Sequence, residues 1–353
     1  MCYKIITEDI ESVLSEQLPW NELSGKTICV TGANGMLAAY VVETLLALSS
    51  RLDRGVQVVA LVRNVNKCSA RFARWLDCSN LIVKKWDFED ADIGVPDCNI
   101  MIHAASVPRP DSQKPVDVIG PNVVGTWNLL WYCHKYCKVF EQFLFFSSCG
   151  VYGDDFLEDY PVREDMAFAL NQMLPSSCYA EAKKMGENLC VCFMRQYGIA
   201  VKILRYAHTY GPGMDLENDP RSFVSFVRSM ISGEDIVLFS NGDMSRCFCY
   251  ISDATNAFFR VLFYGNKGEA YNIANEEERL TILELAILIA RLFGRPSACV
   301  KKSNKNSSVD AGGYAPQRYT IRPDITKLKK LGFEPHVSTE EGFKRSIRFL
   351  LNT

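Results

Sequence analysis

The sequence has no long hydrophobic run, no excess of charge of one sign and no CxxC motif. No apolar stretch reaches the ~18 residues that a membrane-crossing helix needs. Lys and Arg number 39 against 41 Asp and Glu, a net charge of −2, so composition points to neither nucleic acid nor an anionic membrane as partner. The nearest approach to a basic run, Lys327, Lys329 and Lys330, reads as the solvated face of a helix. Cysteine itself is plentiful, with fourteen in the chain, but no CxxC occurs. The close pairs are Cys133/Cys137, Cys190/Cys192 and Cys247/Cys249, and Cys29 and Cys190 lie inside apolar runs. Buried free cysteine behaves as a small hydrophobe, so reduced thiols are expected, with neither a disulfide framework nor a metal site.

The amino-terminal segment MCYKIITEDIESVLSEQL is polar and acidic, unlike the charged-then-apolar order of a signal peptide. A cytoplasmic protein is expected. At 353 residues the chain exceeds one ordinary core. Apolar strands at 26–31, 56–62, 81–85, 99–103, 141–147 and 200–204 alternate with helices at 36–49, 66–76, 121–137 and 177–197. That alternation predicts an α/β fold, a Rossmann-like doubly wound parallel sheet covered on both faces. A helix is expected at 8–18. Beyond residue 206 turn-rich segments dominate, with helices expected at 221–232, 281–293 and 324–331, strands at 235–239 and 270–273, and a polar loop at 302–318. The expected division is a dinucleotide-binding domain over 25–206 with a return segment near 248–275. A smaller carboxyl-terminal α/β substrate domain takes 207–247 and 276–353, and residues 1–24 form a helical extension.

Between the first strand and the first long helix lies TGANGMLA, which places Gly32, Gly35 and Ala38 in a GxxGxxA spacing. Glycine allows the tight turn and the close approach of a pyrophosphate to backbone N–H groups, and the helix amino terminus adds partial positive charge. Gly32, Asn34, Gly35, Met36 and Leu37 are therefore candidate cofactor contacts. The second strand ends in Arg63 rather than in a carboxylate that would read a ribose 2′-hydroxyl, which tilts the expected cofactor, NAD(P), toward NADP. Arg63 stacking on adenine or pointing into solvent is the competing reading. Asp87, after the third strand, is a candidate for the adenine amino group or a helix cap.

The fifth strand runs into Ser147-Ser148-Cys149-Gly150-Val151-Tyr152-Gly153, and Tyr179-Ala-Glu-Ala-Lys183 follows. Tyr179 and Lys183 share one helix face at i and i+4. An ammonium near a phenol favours phenolate and is expected to lower the tyrosine pKa from about 10. Such a tyrosine can take a hydroxyl proton while hydride leaves the same carbon, with Ser148 holding the oxygen.

The set TGxxGxxA, SSxxVYG and YxxxK in this order resembles the extended short-chain dehydrogenase/reductases, in particular the NAD-dependent epimerase/dehydratase family, from about residue 25 to the end. HAAS (103–106), NVVGTWNLL, YGPGM, RCFCYISD and YNIAN support the likeness. The resemblance implies a nucleoside-diphosphate sugar as substrate, with Tyr179 and Lys183 as acid/base pair and Ser148 assisting. Cofactor contact near Ala104 and substrate contact near Ser106 are expected, and Arg109, in the loop after HAAS, either meets the sugar or a sugar carboxylate or is an exposed loop arginine. The resemblance further implies that Arg246 and Arg322 hold the diphosphate, where guanidinium geometry suits phosphate. His208 stands where relatives often carry a substrate-contacting asparagine. In relatives the pair matching helices 121–137 and 177–197 forms a four-helix bundle with its copy, implying a homodimer; Trp127, Leu130, Trp131, Leu189 and Phe193 supply the apolar surface, which equally suits helices buried within one subunit.

Within the family, 4,6-dehydratases resemble one another in a Thr-Asp-Glu segment, and UDP-glucuronate decarboxylases carry a glutamate at its last place. Here that place is Gly150, while Cys149 replaces the aspartate. An epimerase working through a transient 4-keto sugar needs neither acid, and is the expected activity, with isomerase chemistry in polysaccharide biosynthesis. A 4-keto reductase fits the same residues, and decarboxylation or dehydration is the alternative. A dinucleotide-sensing binding protein is the non-enzyme reading, disfavoured by the intact Ser148, Tyr179 and Lys183. Cys149 is either a small packing residue or, with a lowered pKa, an acid/base for another stereocentre.

Overall fold

The computed structural model describes residues 2–95, 97–107, 114–153, 161–217, 219, 221–303 and 321–352. Seven strands form one parallel sheet: β1 (Thr27–Thr31), β2 (Gln57–Val62), β3 (Leu81–Lys85), β4 (Ile100–His103), β5 (Gln142–Ser148), β6 (Val201–Tyr206) and β7 (Ala270–Ile273). Their spatial order is 3-2-1-4-5-6-7, with every neighbouring pair parallel. The chain winds one way from β1 to β3 and the other way from β4 to β7. The two halves part between β1 and β4, where a crevice opens at the carboxyl ends of the strands. Strands such as TICVT and QFLFFSS are buried along nearly their whole length, which is why they read as continuous apolar runs.

Helices cover both faces. On one face α1 (Cys2–Leu14), α2 (Met36–Ser49) and the helix at Ile251–Tyr264 pack together; on the other lie α3 (Gly125–Tyr136) and α4 (Cys178–Tyr197). The stretch MLAAYVVETLLALS contains no helix breaker, and its apolar residues are buried around most of the circumference. Before α3 the backbone makes a π-turn at Gly120–Val124, a widening that is frequent at functional sites. Gly186 of α4 lies against this bend: a Cβ there would meet the Phe145 ring at 2.5 Å and the Asn122 carbonyl at 3.1 Å.

The remaining elements stand over the crevice. His208–Tyr210, Ser245–Tyr250 and Arg279–Thr281 form a three-stranded sheet, and Ile236–Leu238 pairs with Val300–Lys302. Helices at Ser222–Ile231, Ile282–Leu292 and Thr339–Leu351 support them. The last two are well capped, by a Thr281/Glu284 capping box and by the Ser338 hydroxyl.

Several expected boundaries shift. The first helix occupies Cys2–Leu14 rather than 8–18, and the expected helix 66–76 divides into Val65–Arg71 and a 3-10 turn at Ala73–Trp75. The helix expected at 324–331 shortens to Thr326–Lys329. The helices at Ile251–Tyr264 and Thr339–Leu351 were not anticipated; the first is buried on almost all sides, its polar Ser252, Asp253, Thr255 and Asn256 included. Most of the loop expected at 302–318 falls outside the described residues.

The amino-terminal helix is tied to the carboxyl-terminal one through Asp9. Its Oδ2 accepts from the hydroxyls of Tyr40 (2.9 Å) and Tyr250 (2.8 Å), and its Oδ1 accepts from Arg345 Nη2 (2.8 Å). Burial pushes the Asp9 pKa up, against the pull of Arg345. Removing this carboxylate leaves two buried phenols without their acceptor and Arg345 with Glu8 as its remaining carboxylate. Asp9→Ala is expected to destabilise the protein by about 3 kcal/mol in urea denaturation. A change within about 0.5 kcal/mol, the scale of surface substitutions, would show that the network does not hold the termini.

Candidate active site

The crevice begins with the turn after β1. Gly32 has φ +62°, and a Cβ there would lie 2.7 Å from Ala105 Cα and 2.9 Å from its nitrogen. Only glycine lets these two segments meet. Thr31 joins them from below: its Oγ1 accepts from the amides of Ala104 (3.2 Å) and Ala105 (3.0 Å) and pairs with His103 Nδ1 (2.8 Å). His103 Nε2 meets Thr126 Oγ1 at 3.1 Å. Burial pushes the His103 pKa down to about 3, so the ring is a neutral structural bridge at neutral pH.

Gly35 is the N-cap of α2 and no side chain caps this end. The first-turn amides beside Met36 and Leu37 therefore face the crevice without a side-chain acceptor. Asn34 is half-buried on the same turn. Arg63 is exposed at the carboxyl end of β2 and has no ion-pair partner among the described residues. Next to it, Asn64 caps the short helix Val65–Arg71 by accepting from Lys67 N at 2.9 Å. Asp87 does not cap a helix; its own amide donates to Asp90 Oδ2 at 3.1 Å in a local turn.

Ser148, Tyr179 and Lys183 come together as expected, but their electrostatics differ from expectation. Ser148 ends β5 and its Oγ accepts from Gly150 N at 3.1 Å. Lys183 is buried; its Nζ donates to the Phe146 carbonyl at 2.6 Å and lies 6.0 Å from the Tyr179 ring centre. Burial pushes the Lys183 pKa down to about 7, opposed by Glu187. Tyr179 is not lowered toward neutrality. Burial holds its phenol above the usual value, with Ser148, Arg221 and Ser106 pulling the other way. The physical reason is that the desolvation of a phenolate outweighs the pull of the Ser148 and Ser106 hydroxyls and of the Arg221 charge.

Cys149 is buried, and its thiol donates to the Arg205 carbonyl at 3.3 Å. Burial pushes its pKa up. A protonated thiol turned into the core is a packing group, not an acid/base. Gly150 behaves differently. It has ordinary negative φ, and an added Cβ would meet Ser148 Oγ at 3.4 Å and the Tyr179 ring at 3.7 Å, which is normal contact. Packing does not demand glycine there.

Of the expected substrate contacts, Ser106 Oγ is buried without a hydrogen-bond partner among the described residues and lies close enough to Tyr179 to lower its pKa. Arg246 is buried on Ser245–Tyr250, and its Nη1 donates to the Ser245 carbonyl at 3.0 Å. The neighbouring segment is Arg322–Pro323, so the two arginines expected to hold phosphate stand on adjacent elements. His208 is half-buried on its strand, its ring 5.9 Å from that of Phe248. Arg109 lies outside the described residues.

Arg221 was missed. Its Nη1 donates to the Thr209 carbonyl (2.8 Å), its Nε and Nη2 to Asp219, and its charge lowers the Tyr179 pKa. Nothing in the local sequence NDPRSF distinguishes it from a loop arginine. Beneath the site, Glu187 continues the face of Tyr179 and Lys183 at i+8. It accepts from Ser147 Oγ (2.5 Å) and from Arg205 Nε (3.0 Å) and Nη2 (2.7 Å).

Residues 28–274 match the NAD dependent epimerase/dehydratase family. The chain belongs to this family. It is 28% identical to UDP-glucuronic acid decarboxylase 1 of Xenopus tropicalis over 335 residues, covering 93% of this chain and 73% of the relative. It is 27% identical to a putative UDP-glucose 4-epimerase of Methanocaldococcus jannaschii, covering 92% and 98%. Among solved structures, the UDP-glucuronic acid 4-epimerase of Bacillus cereus, in complex with UDP-glucuronic acid and NAD, superposes with a TM-score of 0.76 at 22% identity, covering 92% and 99%. That likeness is one of fold. No described helix is long and apolar enough to cross a membrane.

Burial of Lys183 has a measurable consequence. Its folded pKa, near 7, lies below that of an unfolded lysine, so the unfolded chain binds more protons between about pH 7 and 10.4. The cost of burying the ammonium is full below pH 7 and disappears as pH rises through that window. Lys183→Met is therefore expected to stabilise the cofactor-free protein by about 1–3 kcal/mol at pH 6.5 and by less at pH 9.5. Equal effects in urea denaturation at the two pH values would contradict this.

Proposed function

We propose that the protein is a nucleotide-sugar epimerase that oxidises the substrate at C4 and reduces the resulting ketone on its opposite face. The single observation that carries this reading is Gly150. Beside Ser148 and Tyr179, at a position with room for a side chain, the chain offers no acid. Epimerisation through a ketone needs a proton carrier at one hydroxyl and nothing more, whereas dehydration requires a further acid/base.

The residues present fit a dinucleotide. The Gly32 turn has no side chain over the crevice, and the Gly35 end of α2 is uncapped toward it. Gly32, Asn34, Gly35, Met36 and Leu37 would hold the pyrophosphate, Ala104 would pack against the cofactor, and Asp87 would meet the adenine. When bound, the dinucleotide supplies and withdraws hydride at the sugar carbon. Arg63, exposed at the adenosine end, favours a 2′-phosphate and hence NADP; the Bacillus cereus relative solved with NAD favours the other form. Mass spectrometry of the dinucleotide released on denaturation decides between them.

Tyr179 Oη, protonated in the free protein, must first release its own proton; it then takes the proton of the C4 hydroxyl and returns it when the ketone is reduced. Ser148 Oγ and the otherwise unpartnered Ser106 Oγ hold that oxygen during the exchange. Lys183, 6.0 Å from the Tyr179 ring centre, partners the phenol in the proton exchange, and the charge of Arg221 lowers the phenol's pKa. Arg246 and Arg322 hold the diphosphate, and His208 lies alongside the sugar.

A second reading, UDP-glucuronate decarboxylation, is favoured by the curated relative from Xenopus tropicalis. It shares the first oxidation, after which a carboxylate next to the ketone leaves as carbon dioxide. Incubation with a panel of nucleotide sugars that includes UDP-glucuronic acid, followed by NMR, separates the two: an inverted C4 supports epimerisation, and a pentose product with loss of carbon dioxide supports the alternative. Tyr179→Phe is expected to lower kcat by about 100-fold or more. Unchanged turnover in that variant would remove the mechanism.

We further propose a homodimer through α3 and α4. Val124, Trp127, Met185 and Val191 are exposed apolar side chains on or beside these helices, and Val116 and Ile119 extend the surface. A contiguous patch of this kind marks an interface. Sedimentation equilibrium at micromolar concentration is expected to give a dimer, and Trp127→Glu to weaken it; a monomeric unaltered protein would overturn the assignment.

A further inference from the structure

Three cysteines that are distant from the crevice meet on the opposite side of β4 and α3. Cys133 lies on α3, Cys137 is its C-cap residue, and Cys98 immediately precedes β4. Their sulfurs all lie within 4.8 Å of one another, with Cys98 Sγ and Cys137 Sγ 3.6 Å apart. All three are buried. We propose that Cys98, Cys133 and Cys137 form a three-sulfur site for a thiophilic ion.

The geometry needs little movement. An ion with metal–sulfur bonds of about 2.3 Å holds its sulfurs roughly 3.8–4.0 Å apart, within the spread already present. The sulfurs are too far apart for a disulfide, whose bond is about 2.05 Å, so the thiols are free. Entry is available. A cleft of about 180 Å³ reaches Cys133 and Cys137 between His134, Phe140, Glu141 and the segment from Tyr197 to Ala200. Soft ligands in an apolar shell select soft ions, because hard ions demand oxygen and water.

Two classes of ion satisfy three sulfurs, and they differ in charge. A divalent ion such as zinc displaces three thiol protons to solvent and leaves a net charge of −1, completing its shell with water from the cleft. Arsenite, As(OH)3, exchanges three As–O and three S–H bonds for three As–S bonds and releases three waters. No electron is transferred, and the product is neutral. Zinc binding releases three protons and must weaken as pH falls, whereas arsenite binding releases only water.

The test uses the full reduced protein, titrated with zinc or with arsenite at pH 6 and pH 8. One ion per chain is expected by native mass spectrometry, with three sulfurs in its first shell by X-ray absorption. Binding of both ions at pH 8 with arsenite alone retained at pH 6 assigns both classes to the site. Zinc alone, with three sulfurs, assigns only the divalent class. Cys98→Ser and Cys133→Ala are expected to weaken binding by more than the roughly tenfold typical of losing an outer-shell partner. Cys192→Ser, an exposed thiol outside the cluster, should leave it unchanged. Failure to bind either ion, a first shell with fewer than three sulfurs in the unaltered protein, or full binding in Cys98→Ser would overturn the proposal. None of these readouts depends on sugar turnover.

Discussion

The crevice depends on the contact between Gly32 and the backbone of Ala105. At 2.7 Å from a hypothetical Cβ to Ala105 Cα, any other residue would push β1 and β4 apart where the sheet changes its winding. Thr31 locks the approach from inside the sheet, and the neutral His103 ring passes the connection on to Thr126 in the first turn of α3, whose hydroxyl donates to the Asn122 carbonyl of the π-turn. The turn that cradles a pyrophosphate, the strand end that carries Ser106 and the bend that seats α4 are thus parts of one packed arrangement. A change at Gly32 would disturb all three.

Burial then sets the chemistry, and it acts in opposite senses on opposite charges. It strips about half the charge from Lys183 at neutrality while holding Tyr179 protonated. The phenol is drawn back by groups that converge on it from separate elements: Ser148 at the end of β5, Ser106 after β4 and Arg221 above the crevice. Cys149 and Gly150, adjacent in sequence, fall on different sides of this division. One turns its sulfur into the core and is silenced by desolvation; the other faces the phenol and offers only space.

Behind the reacting groups, Glu187 and Arg205 form a buried ion pair that also engages Ser147, Tyr152 and the Glu164 carbonyl. Tyr152 in turn donates to Asn272 at 2.7 Å. The pair therefore ties α4 to β5, β6 and β7, and gives Lys183 a rigid floor. A buried pair of this kind contributes chiefly by fixing geometry, because desolvation offsets much of its attraction.

The sequence by itself determined the alternation of strands and helices, the parallel sheet, the glycine turn and the company of Ser148, Tyr179 and Lys183. These are local matters: apolar periodicity, a turn residue and an i, i+4 spacing carry them within a few tens of residues. It left the helix Ile251–Tyr264 unannounced although Ser252, Asp253, Asn256 and Arg260 recur at helical spacing, and it carried no sign that this polar face is largely buried. Only the tertiary structure decided that the Arg221 charge acts on the phenol, that burial lowers the Lys183 pKa and that Cys149 points away. It alone brought Cys98 to Cys133 and Cys137 across 39 residues of chain. Charge, burial and thiol contact depend on what lies within a few ångströms in space, and sequence spacing carries no record of that.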